Sequence, residues 1–356
     1  MAVLVALATA LGCGHEPPTR PEDTGSWRVA ELPQLELGTS LHAIDFSDAT
    51  GYILGSGTGK AGRDYVLVVR DPAGNWVRRE LVNPPGNALF LDVAAGAAGI
   101  AVGGYLQQQV DPCLVHDQRG AVGASIARSG SRIAAIDGDD VLMVAGGTAI
   151  GGALWASREP GAWSTEATPL SQLHVGGYAD VFVGNGRALA CGFDSGSDTP
   201  PVVLTLDMDE GTWSRLPLGT GILGRTLRCV AVADDGTVLV GGVAEVGGAT
   251  PRAFVRIRDA SGTWSEPSLP DGDLIGGVND VLPVGGGVWY VACGSEDGSG
   301  LATILRLDAN GITRDLSPFH GAVLQLGRDA AGLLHAVGYQ LSASASFRLP
   351  LLLTRG

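Results

Sequence analysis

An all-β fold of about seven four-stranded units is what this sequence predicts, on three observations. The chain is 45% hydrophobic and holds 55 glycines in 356 residues, so it can bury a core but turns too often for long helices. No segment longer than a turn carries a 3.6-residue apolar period. A turn followed by an aromatic recurs, ending at Trp27, Trp76, Trp163, Trp213 and Trp264, with degenerate copies ending at Val122 and Thr313; the spacings run from 41 to 51 residues. A period of that size built from short strands is the pattern of propeller blades. The predicted architecture is a seven-bladed β-propeller.

Each unit can be read strand by strand. In the first, Ala43–Phe46, Gly51–Gly57, Tyr65–Arg70 and Trp76–Leu81 are four strands, with the turn Asp71–Gly74 between the last two. The other first strands are predicted at Leu91–Ala94, Ile133–Ile136, Ala179–Val183, Val230–Ala233, Asn279–Val284 and Ala322–Leu326. Second strands end in a small pair such as Gly103-Gly104, Cys191-Gly192, Gly241-Gly242 or Cys293-Gly294. The last unit runs out at its third strand, Leu351–Gly356, and the propeller begins with an orphan fourth strand, Ser26–Leu32. Pairing the two would close the ring and hide an exposed edge.

Ahead of the repeats, Ala2–Leu11 is a ten-residue apolar run, too short to span a bilayer and right for the core of a secretory signal. It ends in Ala10-Leu11-Gly12-Cys13, which resembles the bacterial lipobox. That resemblance implies cleavage before Cys13 and lipid attachment to it. Residues 14–25, GHEPPTRPEDTG, read as an extended tether. The expected division is a signal peptide over 1–12, a lipid-anchored tether over 13–25 and a propeller over 26–356. The resulting address is the bacterial cell envelope, at the outer membrane, with the anchor as the sole membrane contact.

Charge narrows the partners. There are 37 acidic and 23 basic residues, a net charge of −14, which argues against nucleic acid because phosphate binding needs a basic face. Four further cysteines, Cys113, Cys191, Cys229 and Cys293, would allow two disulfides in three connectivities in an exported chain. The similar contexts of Cys191 and Cys293 favour small buried strand residues. No CxxC pair supports zinc.

The turn copies are similar to the Asp-box of sialidase-like propellers: Asp71 and Asp259 precede their Trp by five, with the glycine displaced to Gly74 and Gly262. Glycine pairs such as Gly241-Gly242 also resemble kelch repeats. Both resemblances imply a propeller and leave the activity open.

Two residue sets could carry chemistry. The turn tryptophans could stack on sugar rings, but their fixed repeat position favours packing between neighbouring units. The acids Asp45, Asp92, Asp180 and Asp280 each precede an apolar residue in a first strand and align at one repeat position, where other units carry Ala135, Ala231 and Gln325. A partial acidic ring in the central channel could bind a ligand. No cofactor is expected, Ca²⁺ being the ion such oxygen ligands would take. The competing role is structural, each carboxylate accepting backbone N–H groups from the adjacent unit. Candidate arginines for a sialidase-like carboxylate cluster are Arg225, Arg228 and Arg252, but no tyrosine stands in a recognisable catalytic context. A phosphate loop is not met at residues 55–62, and Asp137, Asp139 and Asp140 lack the downstream Glu of a calcium loop.

The function that results is a non-enzymatic, monomeric, lipid-anchored propeller binding an envelope protein or glycan through its loop face. The alternative is a sialidase-like glycoside hydrolase or polysaccharide lyase using acids at the channel mouth.

Overall fold

The computed structural model describes residues 27–57, 64–71, 73–81, 88–96, 99–106, 113–117, 120–126, 141–145, 153–157, 164–165, 175–184, 187–194, 201–207, 212–219, 222, 224–244, 250–270, 276–295, 300–342 and 347–356. The predicted signal, Cys13 and the tether lie outside them, as do Asp137, Asp139, Asp140 and the predicted strand Ile133–Ile136.

Among the described residues every regular element is a strand, and the strands form antiparallel meanders. The first unit is Ser40–Ser47, Thr50–Gly57, Asp64–Arg70 and Trp76–Arg79, hydrogen-bonded in that order. Four-stranded sheets of the same order occupy 88–126, 175–216 and 225–265, and three strands are described over 141–165. The remaining eight strands join in one sheet because Gly294 at the end of one meander bridges to Ala322 of the next. Its members are a meander over 277–314, a three-stranded meander over 319–355, and Trp27–Val29. Trp27–Val29 pairs antiparallel with the final strand, in the register Trp27 to Arg355 and Val29 to Leu353. Four-stranded antiparallel sheets repeated in this way make the protein a β-propeller.

The core lies between neighbouring sheets. One cluster packs Leu54 and Leu67 of the first unit on Phe90 and Val102 of the second. Another packs Ile53 and Val68 of the first unit on Val337 and Leu352 of the last. The turn tryptophans belong to this packing. Trp27 is fully buried, stands edge-on to Tyr290 and donates to Asp315 Oδ2 at 2.6 Å. Trp76 stands edge-on to His335, and Trp264 donates to the Pro217 carbonyl at 2.7 Å. Each reaches into the preceding unit, as the repeat position predicts. Trp163 lies outside the described residues.

The Asp-containing turns have a simple chemistry. Asp71 Oδ1 accepts the Asn75 N–H and Asp259 Oδ1 accepts the Thr263 N–H, each at 2.8 Å, while Gly74 and Gly262 take φ of 89° and 91°. Asp329 accepts from Leu333 in the same way, with Gly332 at φ 84°, yet this hairpin joins a first strand to a second and has no Trp. The pattern is therefore a property of the five-residue hairpin, wherever it occurs in a unit.

Candidate functional site at the channel mouth

Six first strands share one irregularity. Their pairing with the second strand skips a residue, leaving His42, Leu91, Ala179, Arg228, Asn279 and Leu324 as bulges. A glycine opposes the bulge in most units for a steric reason. A Cβ on Gly55 would stand 2.5 Å from the Ser40 carbonyl oxygen, and one on Gly242 or Gly338 would fall on the carbonyl oxygen of Thr226 or Ala322. The opposing carbonyl thus leaves no room for a Cβ in these units, although Cys293 holds the place opposite the Asn279 bulge, and the bulge turns one extra side chain per unit towards the axis. All six bulge residues line a cavity of about 340 Å³ where the first strands begin. A second cavity of about 230 Å³ continues along the axis, with Val183, Leu282 and Leu326 in its wall.

The predicted acids lie just below this rim. Asp92, Asp180 and Asp280 each follow a bulge directly and so share one repeat position. Asp45 does not: it is three residues past the bulge at His42 and lines only the deeper cavity. The matching position in the first unit is Ala43. In the fifth unit it is Cys229, with Ala231 sharing the register of Asp45. The single-position alignment of all four acids is corrected accordingly; the following-glycine reference fails because the bulge and the first-unit strand end place the glycines differently.

Their hydrogen bonds show what the carboxylates do. Asp45 accepts from Phe46 N at 2.8 Å and from Ala95 N of the next unit at 2.6 Å. Asp280 accepts from Val281 N and, across to the next unit, from Leu326 N at 2.7 Å. Asp180 reaches Val230 N at 2.9 Å, and Gln325 repeats the link with its amide oxygen on Ile44 N at 2.5 Å. Asp92 accepts from Val93 N; the unit that follows it is outside the described residues at this point. Burial raises Asp180 to about 7, and burial followed by the Asp180 charge raises Asp92 and Asp280 well above the ordinary carboxylate range.

The rim is of opposite character. Arg228 Nη1 donates to Asn279 Oδ1 at 3.1 Å, and Asn279 donates to the Val323 carbonyl at 2.8 Å. Arg348 lies over the Tyr339 ring at 4.3 Å and donates to Ser40 Oγ at 3.3 Å. His42 Nε2 is 2.6 Å from Ser56 Oγ. A Cβ on Gly277 would meet Arg228 Nη1 at 3.2 Å, so the glycine leaves room for the guanidinium. The sequence pattern singled out the acids but missed the rim, because a bulge breaks the alternation on which strand reading rests. The residue immediately before Asp92, Asp180 and Asp280 would have found Leu91, Ala179 and Asn279, while Arg228 and His42 precede Cys229 and Ala43 and carry no such signal.

The three candidate sialidase arginines do not converge. Arg225 pairs with Glu266 at 2.6 Å and covers the Phe254 ring, Arg252 is exposed, and only Arg228 lines the mouth. Among the described residues no three His, Cys, Asp or Glu side chains gather closely enough to hold a metal. Cys191, Cys229 and Cys293 are buried free thiols, and Cys113 lies in a strand whose side chains are not described. No described helix is long and apolar enough to cross a membrane.

The fold and the site together define a β-propeller with a polar central mouth. No protein-family model matches the chain, and no curated protein matches it. Among solved structures it is similar to a chain in the crystal structure of a mitotic checkpoint complex. That likeness covers 100% of this chain and 98% of the other at a TM-score of 0.57 and 14% identity, and it bears on the fold alone.

Proposed function

We propose that this chain is a seven-bladed propeller, closed by its N-terminal strand, that serves as a non-enzymatic binding protein of the bacterial envelope. Closure is supported by the pairing of Trp27–Val29 with the last strand and by the cluster joining the first unit to the last. Cys13 carries the lipid, residues 13–25 are the tether, and the anchor holds the protein at the outer membrane. The partner is an envelope protein or glycan.

One observation carries binding over catalysis. Both oxygens of Asp45 and Asp280 already accept backbone N–H groups, and Asp180 is tied to Val230, so these acids join units together. A hydrolase or lyase would need a carboxylate aimed at substrate. The binding face is the mouth end. Antiparallel pairing brings Arg225, Ala244 and Arg252 level there, so the connections between second and third strands emerge beside the rim. The longer connections, 56–64, 193–201, 243–252 and 294–301, are all of this kind.

Metabolic labelling with a fatty-acid analogue tests the anchor. Label on the wild type that disappears in Cys13→Ala, with the variant released from the membrane fraction, is the expected result. Absence of label from both would remove the lipoprotein assignment.

A further inference from the structure

We propose that the junction between the last and first units is an acid-sensitive latch, closed while the His335 imidazole is neutral and loosened when it takes a second proton. The proposal rests on the contacts between those two units and is independent of the binding reading above.

The repeat shows what is unusual about this histidine. Counted from the bulge of each first strand, His335 stands where the other described units carry Tyr52, Ala101, Leu189, Leu239 and Tyr290. Tyr290 fills that place against Trp27 of the unit that follows it. His335 fills it against the first unit, with its ring centroid 4.7 Å from that of Phe46 and 6.3 Å from that of Trp76. A side chain that changes charge near neutral pH thus occupies a position otherwise given to apolar or aromatic groups.

The polar contacts also cross the junction. His335 is 2% exposed, and its Nε2 is 3.3 Å from Asp329 Oδ2. The same oxygen accepts Arg70 Nη1 of the first unit at 2.8 Å. These two are the charged groups that face the ring. Arg328 turns to the Val284 carbonyl, Arg355 pairs with Asp315, and Glu31 is exposed on the wall of the adjoining cavity. A carboxylate can only accept, so Nε2 carries the proton of the neutral ring. Nδ1 is buried without a hydrogen-bond partner among the described residues.

A second proton would therefore go to Nδ1. It would create a buried N–H with no acceptor and set a second cation beside Arg70 on one carboxylate oxygen. Burial lowers the His335 pKa below the ordinary 6.5, against the opposing pull of Asp329. Separation of the two units relieves the strain most directly. The ring adjoins a cavity of about 570 Å³ bounded by Ala30–Pro33, Arg70, Trp76 and Thr354, so a small parting there would hydrate the imidazolium. What would part is the apolar cluster of Ile44, Ile53 and Val68 with Val337 and Leu352.

The test follows backbone hydrogen exchange of the purified full chain between about pH 7.5 and 5. Each rate is corrected for the intrinsic rate at that pH. Residues 44–53 and 327–337 report the junction, and residues 226–243 of the fifth unit are the reference. In the wild type, opening at the junction should rise about tenfold per pH unit below 6.5 until the folded pKa is passed, with the reference unchanged or slower. The channel acids cannot mimic this, because groups with raised pKa values gain stability as pH falls. His335→Gln can keep a donor to Asp329 but takes no proton, so its junction should show no such rise. A wild-type junction indifferent to pH would overturn the proposal, as would an equal rise in His335→Gln or an equal rise in the reference. If the Gln variant fails to fold, His335→Leu, which carries the residue of the fourth and fifth units at this position, takes its place.

Discussion

At the scale of single residues, the repeated glycines separate into two kinds that sequence alone makes look alike. Gly242 has ordinary backbone angles, but a Cβ there would overlap the Thr226 carbonyl oxygen across the bulge. Gly236 has open space around it and a φ of 84°. Gly242→Ala should therefore cost about 3 kcal/mol, through overpacking against rigid backbone, and Gly236→Ala about 1 kcal/mol, through the left-handed backbone alone. Urea midpoints of the two variants give the ranking directly. Asp180 supplies a pH-dependent case. Its folded pKa of about 7 lies above the ordinary 3.8, so its contribution to stability is complete below about 3.8 and is lost as pH rises towards 7. The loss at pH 8 is on the order of 4 kcal/mol at most. His335 acts oppositely: burial lowers its pKa, so its contribution is lost as pH falls below 6.5. Asp180→Asn should leave the His335 effect in place and gain stability over wild type at pH 8 relative to pH 5. The amide is accommodated because Gln325 already makes the equivalent link to Ile44. Urea unfolding of both proteins at the two pH values checks the difference, and an unchanged difference would mean that Asp180 is not strained by its charge.

At the scale of strands and hairpins, regular alternation was legible and irregularity was not. Val66, Leu67 and Val68 form a continuous apolar run and are buried on both faces, as a third strand between neighbouring sheets should be. The tryptophans following the turns pack across units because the hairpin fixes where the fourth strand begins. The bulges were invisible, since a single extra residue changes no composition and leaves the apolar count intact. Their consequences are nonetheless written in the sequence as the glycines opposite them, Gly55, Gly104, Gly192, Gly242 and Gly338, and at Gly55, Gly242 and Gly338 an opposing carbonyl oxygen leaves no room for a Cβ. The candidate site was half legible for the same reason. Asp92, Asp180 and Asp280 fall one residue beyond the bulge and were found. Arg228 and Asn279 are the bulges themselves, and their inward direction follows only from the broken pairing. Arg348 comes from a third strand and reaches the mouth by stacking on Tyr339, a contact with no local sequence signal.

At the scale of the whole molecule, the last unit takes its fourth strand from three residues, Trp27 to Val29, of which Trp27 alone is buried. Trp27→Ala should cost about 3–5 kcal/mol, through the lost ring and the stranded Asp315 and Tyr290 partners. It should also leave Arg348–Arg355 as an open edge, so self-association should rise with concentration in light scattering. A variant as stable and as dispersed as wild type would show that the ring holds without its N-terminal strand. The same pairing fixes an order in time. Trp27 is translated long before its partner Arg355. Closing a loop of that length costs about 5 kcal/mol in chain entropy, and the contacts that offset it do not exist until Leu353 to Arg355 are made. Every other described strand can pair with one close to it in the chain. Trp27–Val29 waits for Arg348–Arg355, so a product interrupted before that strand keeps both an unsheltered tryptophan and an unpaired strand. That pairing is where a quality-control protease would tell a finished molecule from an interrupted one.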